Sequence, residues 1–112
     1  MKLITCVVKP HRLDAVREAV EDAGVRGATV TEVEGFGRQG GHTEVFRGVE
    51  YDVDFVPKAR VEILCDDDVV ERIVDAVSEV ARTDRIGDGK IWVAEASHVT
   101  RIRTGELGPD AV

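Results

Sequence analysis

The run Gly87-Asp88-Gly89-Lys90 is the segment of this chain with the clearest chemical capacity. Its two glycines allow another group to approach the main chain closely, and the lysine that follows supplies an ammonium group. Main-chain N–H groups in a concave turn, together with one cation, are a recurrent way of holding phosphate. The run therefore predicts an anion-binding loop, although a glycine-rich turn followed by lysine also occurs by chance in many proteins.

Other cations could join this loop at one end of the molecule. Arg101 and Arg103 are two residues apart, and in an extended segment such side chains leave the backbone on the same side. Two guanidinium groups on one side would suit a polyphosphate, whereas the alternative is two surface arginines that each pair with a carboxylate. Arg38 and Lys58 flank a long loop, and with Lys90 they would bring five cations together.

That long loop covers residues 35–57, and five of its first fourteen residues are glycine. Structureless connections longer than about 12 to 15 residues are uncommon in compact domains and are usually functional or disordered. We therefore expect a flexible functional loop over about residues 37–55, without regular structure before Phe46. A plain surface hairpin is the alternative. Tyr51, between the acidic residues Glu50 and Asp52, carries an aromatic hydroxyl group that we expect to be exposed.

Composition narrows the classes of function. The 112 residues fit one domain, and the net charge of -7 argues against a nucleic-acid partner, which needs a continuous basic surface. No window approaches the roughly 18 apolar residues of a membrane span, and the apolar run after Lys2 is too short for a signal peptide. We therefore expect a cytoplasmic protein. Cys6 and Cys65 lie in apolar runs, which favours buried reduced thiols over a disulfide or a metal site.

Hydrophobic periodicity indicates two β-α-β units joined by the long loop. The predicted strands are residues 3–8, 28–36, 57–65 and 90–96, the predicted helices are residues 13–23 and 69–81, and the tail from about residue 98 to 112 contains an extended segment at 99–104. This order predicts an α+β fold, a ferredoxin-like βαββαβ sandwich in a single domain over residues 1–112. Two helices cover only one face of a sheet, and the apolar second face predicts a homo-oligomer.

Three runs of the chain together resemble the signatures of the PII nitrogen-regulatory signal-transduction proteins. They are residues 83–93 (TDRIGDGKIWV), 35–39 (GFGRQ) and 101–106 (RIRTGE), and the resemblance extends over essentially the whole chain. It implies a homotrimer of ferredoxin-like subunits with a long loop between the second and third strands. It further implies that ATP or ADP binds at the subunit interfaces, and that 2-oxoglutarate is sensed beside ATP and Mg²⁺.

The resemblance also implies a role and a set of contact residues. The role is that of a regulator, not an enzyme, whose loop controls an ammonium transporter and nitrogen-assimilation enzymes or regulators, so that the protein meets a membrane only through a transporter partner. The nucleotide-binding positions are matched by Thr29, Gly37, Arg38, Glu62, Leu64, Gly87, Asp88, Gly89, Lys90, Arg101 and Arg103. The 2-oxoglutarate positions are matched by Gln39, Lys58, Gly37 and Gly41. Gln39 also matches a ligand of the Mg²⁺ ion on the ATP phosphates, and Tyr51 matches the residue that a nucleotidyltransferase modifies.

The chain departs from the family pattern in several places. Gly40 stands where lysine is common, Phe46 and Val49 alter the surroundings of the modification site, and Asp84 replaces a glycine beside the expected phosphates.

Two other functions are alternatives to the regulator. One is a PII-like sensor of adenine nucleotides in another pathway, such as carbon or bicarbonate handling, and the presence of both Gln39 and Lys58 speaks against it. The other is a small phosphotransfer or ATP-hydrolysing enzyme. The sequence offers no separate pair of groups that would place a nucleophile in line with the γ-phosphate, which speaks against that enzyme.

Overall fold

A computed structural model describes the backbone of residues 1–37, 42–46, 49–53 and 55–112, and the side chains of residues 1–37 and 55–112. The expectations for Arg38, Gln39, Gly40 and Gly41 lie outside the described residues. The expectation for the Tyr51 hydroxyl lies outside the described side chains.

The described chain forms a four-stranded sheet, two α-helices and a separate two-stranded ribbon. The strands are β1 Lys2–Val8, β2 Thr29–Gly35, β3 His42–Phe46, β4 Val49–Val53, β5 Val56–Cys65 and β6 Lys90–Glu95, and the helices are α1 Leu13–Asp22 and α2 Val70–Ala81. The sheet order is β2-β5-β1-β6, and all neighbouring strands are antiparallel. This α+β arrangement of two βαβ units, with β1 and β5 in the centre, confirms the predicted order and is consistent with the ferredoxin-like fold.

The core lies between the helices and one face of the sheet. Its buried residues are Ile4, Cys6, Val8, Val16, Val20, Ala59, Val61, Ile63, Cys65, Ile73, Val77 and Ala81. Residues of β1 and β5 alternate between this face and the other, because successive strand side chains point to opposite sides. Both cysteines are free and buried, as predicted, and burial raises the pKa of the Cys6 thiol to about 11. At physiological pH that thiol stays protonated and packs as a small apolar group.

The ends of both helices follow local sequence signals. Helix α1 stops at Gly24, which adopts a φ of 96° that favours glycine, and the N–H of Val25 then donates to the carbonyl of Val20 at 2.9 Å. A 3-10 turn, Asp67–Val69, leads into α2, and the carboxylate of Asp66 caps it by accepting from the N–H of Asp67 at 2.7 Å. A glycine therefore ends the first helix, and an acidic residue caps the turn that begins the second.

The long loop contains more regular structure than the sequence predicts. Strands β3 and β4 pair as an antiparallel ribbon from His42↔Val53 to Phe46↔Val49, so the expectation of no regular structure before Phe46 is wrong. The physical reason is that glycines cluster ahead of residue 42, whereas Thr43, Val45 and Phe46 favour strands. Pairing two adjacent segments also satisfies their backbone hydrogen bonds without help from the rest of the domain.

The tail also differs from its prediction. Residues 102–104 form a turn, and the only regular pairing around it is a single bridge between Thr100 and Leu107. The turn closes with hydrogen bonds between Arg101 and Glu106 and between Gly105 and Arg101. Residues 102–104 fall inside the segment predicted to be extended, so that prediction is wrong there, and Gly105 continues the turn with a φ of 75°.

The second face of the sheet is open and mixed in character. It presents Leu3 and Val7 in the centre, Leu64 and Trp92 at 41% and 49% exposure, and an ion pair between Arg60 and Glu62 at 3.4 Å. Apolar side chains on a face that no described element covers leave the expectation of a second subunit in place as a prediction.

Candidate functional site

The loop between α2 and β6 turns sharply at three residues. Asp84, Gly87 and Gly89 have φ values of 62°, 95° and 100°, all in the left-handed region. Glycine enters this region freely, and aspartate is among the few other residues that tolerate it. The glycine that the resemblance implies at position 84 would therefore fit the backbone that the loop adopts.

Gly89 presses the loop against the first strand. A Cβ atom at this position would lie 1.7 Å from the carbonyl oxygen of Val7, so no other residue fits without moving the backbone. The packing sets Lys90, the first residue of β6, directly opposite Val7 in the sheet. The glycine that the sequence assigned to an anion-binding turn therefore also fixes where that turn lies.

Lys58 connects this loop to β5. It is only 9% exposed, and its Nζ donates to the carbonyl oxygen of Gly87 at 2.5 Å. Desolvation lowers the pKa of the Lys58 ammonium, the nearby charge of Lys9 lowers it further, and Asp88 opposes the shift. A largely buried ammonium group beside the glycine loop is positioned to form a charge-assisted hydrogen bond with an anion.

These groups line one cleft of about 630 Å³ at an end of the sheet. Among the residues predicted to bind ligands, its walls carry Gly37, Lys58, Gly87, Asp88, Gly89 and Lys90. A concave site of this size that combines glycine backbone with cationic side chains suits a small anionic ligand. We call it the Gly87 cleft. The structure therefore brings together six of the predicted residues, contributed by the end of β2, β5 and the loop before β6.

Three other predicted residues line a second cleft. Thr29, Glu62 and Leu64 border a space of about 730 Å³ next to the segment that follows α1. Thr29 and Glu62 are paired neighbours on β2 and β5. Lys58 and Leu64 are six residues apart on β5, which corresponds to about 20 Å at the rise of an extended strand. Within one chain, the two groups of predicted nucleotide contacts are therefore well separated.

The predicted arginine pair does not act as a pair in the single chain. Arg101 binds the carboxylate of Glu106 at 3.1 Å and donates from Nε to the carbonyl oxygen of Ala111 at 3.3 Å. Arg103 lies in the turn of residues 102–104, so the two side chains do not leave one side of an extended strand, and that prediction is wrong. The alternative of a surface arginine matched to a carboxylate describes Arg101.

The structure also adds residues that the sequence analysis did not assign to the site. Lys9 binds both Asp88 and Thr83, at 3.0 Å and 3.1 Å, from the segment just after β1. No short-range pattern connects Lys9 with residues more than seventy positions away. Phe36 and Phe55 form an edge-to-face pair with ring centroids 5.4 Å apart, at the two sides of the long loop. The sequence could have predicted this contact, because both aromatic residues flank the glycine-rich loop.

Two further observations concern the described residues only. Among the side chains of residues 1–37 and 55–112, no cluster of three or more His, Cys, Asp or Glu is arranged to hold a metal ion. Helices α1 and α2 have 10 and 12 residues, and the described chain contains no helix long and apolar enough to cross a bilayer.

The fold and the Gly87 cleft define a small α+β domain of the ferredoxin-like type with a candidate anion site. Residues 1–106 match the family described as "Nitrogen regulatory protein P-II", and the chain belongs to this family. It is 54% identical to a protein of that name from Azospirillum brasilense and 55% identical to one from Mesorhizobium japonicum, in each case over the full length of both chains. A protein of the same name from Pasteurella multocida is 54% identical over the same extent. The resemblance seen in the sequence is confirmed.

Proposed function

We propose that the chain is a PII-type signalling regulator of nitrogen metabolism that binds ATP or ADP together with 2-oxoglutarate. The relatives are named as regulatory proteins, which supports a regulator over an enzyme. Its targets are an ammonium transporter and nitrogen-assimilation enzymes or regulators, which it controls through the long loop. We place it in the cytoplasm.

The observation that carries the proposal is the composition of the Gly87 cleft. Two glycines with positive φ lie in its wall beside Lys58 and Lys90. Asp88, the acidic loop residue that lines the cleft, is engaged with Lys9 by an ion pair and with the N–H groups of Thr83 and Asp84. Among the described residues, Lys58 and Lys90 form no ion pair with a carboxylate, and a cleft with such lysines and a paired Asp88 favours a polyphosphate over a neutral or cationic ligand.

The separation of the two clefts supports nucleotide binding between subunits. We assign the phosphates to the Gly87 cleft of one chain and the nucleoside to Thr29, Glu62 and Leu64 of its neighbour. A homotrimer that covers the open sheet face would bring these groups together, and Arg101 and Arg103 would approach the phosphates from the tail. The partly exposed Leu64 and Trp92 on that face favour such burial.

The acid effector is assigned to the loop side of the same cleft. Lys58 faces it with a largely buried ammonium, and Gln39, Gly37 and Gly41 are the accompanying positions in the family pattern. Mg²⁺ would be held by the ATP phosphates and Gln39, since this hard cation prefers oxygen ligands and few protein groups. We further propose that Tyr51 is the site at which a nucleotidyltransferase modifies the loop.

Titration calorimetry tests the function directly. We expect ATP·Mg²⁺ and ADP to bind, and 2-oxoglutarate to bind tightly only when ATP and Mg²⁺ are present. Linkage then requires that 2-oxoglutarate tighten ATP by the same factor. Equal 2-oxoglutarate affinity with ATP and with ADP would favour the adenine-nucleotide sensor of another pathway. Rapid release of inorganic phosphate from ATP would favour the enzyme.

A further inference from the structure

The carboxylate of Asp88 lies within its own loop and is fully engaged there. One oxygen, Oδ2, accepts from the N–H of Thr83 at 2.7 Å and from the N–H of Asp84 at 3.0 Å. The other oxygen, Oδ1, accepts from the Thr83 hydroxyl and lies 3.0 Å from the Lys9 ammonium. A carboxylate has about four acceptor positions, so Asp88 has none left for a ligand or a metal ion.

Lys9 links this arrangement to the sheet. It follows the last residue of β1, and its Nζ donates to the Thr83 hydroxyl at 3.1 Å while pairing with Asp88. Lys9 and Asp88 side chains are 20% and 23% exposed, so solvent screens the pair only in part. Together with the close approach of Gly89 to Val7, this gives the loop two attachments to the same strand.

The arrangement has an electrostatic consequence for the cleft. The Thr83 hydroxyl and main-chain N–H hold the pKa of the Asp88 carboxyl well below its usual range, and Lys9 contributes in the same direction. Asp88 is thus charged throughout the physiological range and needs its partners for neutralisation. Without them, a carboxylate between Gly87 and Gly89 would repel any phosphate brought to the loop.

We propose that Lys9 and Thr83 are positioning residues for the Gly87 cleft. They hold the Asp88 carboxylate inside the loop, which keeps the glycine backbone at the cleft wall and keeps that carboxylate from pairing with Lys58 or Lys90. Asp88 acts on the ligand through its main chain and through loop geometry, and its carboxylate makes no ligand contact. The inference rests on the proposed function, because it assumes that the anion is a nucleotide phosphate.

Paired variants of Thr83 test the hydroxyl. Thr83→Val keeps the shape of the side chain and removes the hydroxyl, whereas Thr83→Ser keeps the hydroxyl. We expect Thr83→Val to weaken ATP about tenfold and Thr83→Ser to stay within about twofold of the unaltered chain, since hydrogen bonds to charged groups are among the stronger ones. Equal ATP affinity in the two variants overturns the role of the hydroxyl.

A charge-rescue experiment tests Lys9. Lys9→Met should weaken ATP about tenfold, and adding Asp88→Asn should restore part of the affinity because the uncompensated charge is removed. A role in folding alone predicts that the double variant binds as weakly as Lys9→Met or more weakly, and that result overturns the proposal. Lys2→Met is the matched control, because Lys2 also pairs with a carboxylate, Glu95, from the other end of the same strand.

A second measurement separates this inference from the proposed function. The ¹⁵N chemical shifts of Gly87 and Gly89 in the full chain without nucleotide should change in Thr83→Val and Lys9→Met but not in Thr83→Ser or Lys2→Met. If the unaltered chain binds no ATP, the proposed function fails, and these shifts alone decide whether Lys9 and Thr83 position the loop. Unchanged shifts in Thr83→Val and Lys9→Met overturn the inference.

Discussion

Replacing Lys58 with methionine separates the acid effector from the nucleotide. The side chain is 9% exposed and donates to the Gly87 carbonyl oxygen at 2.5 Å, so its ammonium lies at the cleft with few water molecules around it. Methionine retains an unbranched stem of similar volume and removes the charge. We expect Lys58→Met to abolish measurable 2-oxoglutarate binding and to spare most of the ATP affinity.

The size of the effect follows from the contacts. A charge-assisted hydrogen bond to a carboxylate contributes about 1.5–3 kcal/mol, which corresponds to a loss of roughly 10- to 150-fold in 2-oxoglutarate affinity. ATP keeps the glycine backbone and Lys90, so we expect its affinity to change by less than about threefold. The free energy of unfolding should change by less than about 1.5 kcal/mol, because the packed volume is nearly conserved.

The assay is calorimetric titration of 2-oxoglutarate into the protein saturated with ATP·Mg²⁺, followed by the reverse titration. In the unaltered chain each ligand should tighten the other by one common factor, and in Lys58→Met that factor should fall to one. Lys2→Met serves as control, since Lys2 pairs with Glu95 far from the cleft along β1. An undiminished 2-oxoglutarate affinity in Lys58→Met would falsify the assignment of Lys58.

Four further predictions concern the phosphates, the assembly, the loop backbone and the modification of Tyr51. Lys90→Ala should weaken ATP·Mg²⁺ roughly ten- to hundredfold by calorimetry, whereas Arg72→Ala on the exposed face of α2 should not; equal affinities would place the phosphates elsewhere. Sedimentation equilibrium should give three times the mass of the 12.2 kDa chain, and a stable monomer at micromolar concentration contradicts the trimer. Asp84→Gly should raise the free energy of unfolding by about 0.5–1 kcal/mol in a denaturant titration, because a φ of 62° strains aspartate but not glycine. The variant keeps the main-chain N–H that donates to Asp88. A lower free energy of unfolding in the variant contradicts this prediction. Intact mass spectrometry of protein from nitrogen-starved cells should detect a nucleotidyl adduct that Tyr51→Phe abolishes, and an adduct that persists in Tyr51→Phe assigns the modification to another residue.

Local patterns in the sequence were sufficient for most of the fold. The helices, the four strands of the sheet, the glycine stop at Gly24 and the acidic cap at Asp66 depend on residues close together in the chain. Strand alternation and helix periodicity indicate which side chains are buried and therefore which segments are strands and which are helices. The order of these elements was enough to predict the α+β fold. The glycine-lysine run was recognisable as a candidate anion loop for the same reason, because its residues are contiguous.

Two local predictions were wrong because hydrogen bonds between nearby segments decided the structure there. Strands β3 and β4 form by pairing with each other. The glycines clustered ahead of them led to the prediction of no regular structure before Phe46. Residues 102–104 turn because Gly105 takes a positive φ and Arg101 pairs with Glu106. Both outcomes depend on hydrogen bonds between segments, which propensity does not describe.

Tertiary structure alone decided how the cleft is assembled. Lys9, Lys58 and Asp88 come from three distant parts of the chain, and they meet because β1 and β5 are adjacent and Gly89 packs on Val7. The same contacts engage the Asp88 carboxylate within its own loop, so a residue that carries negative charge in the sequence pairs with Lys9 and not with Lys58 or Lys90 of the cleft. Charge in a sequence is a property of a residue, whereas the field at a site depends on which groups the fold brings within a few ångströms of one another.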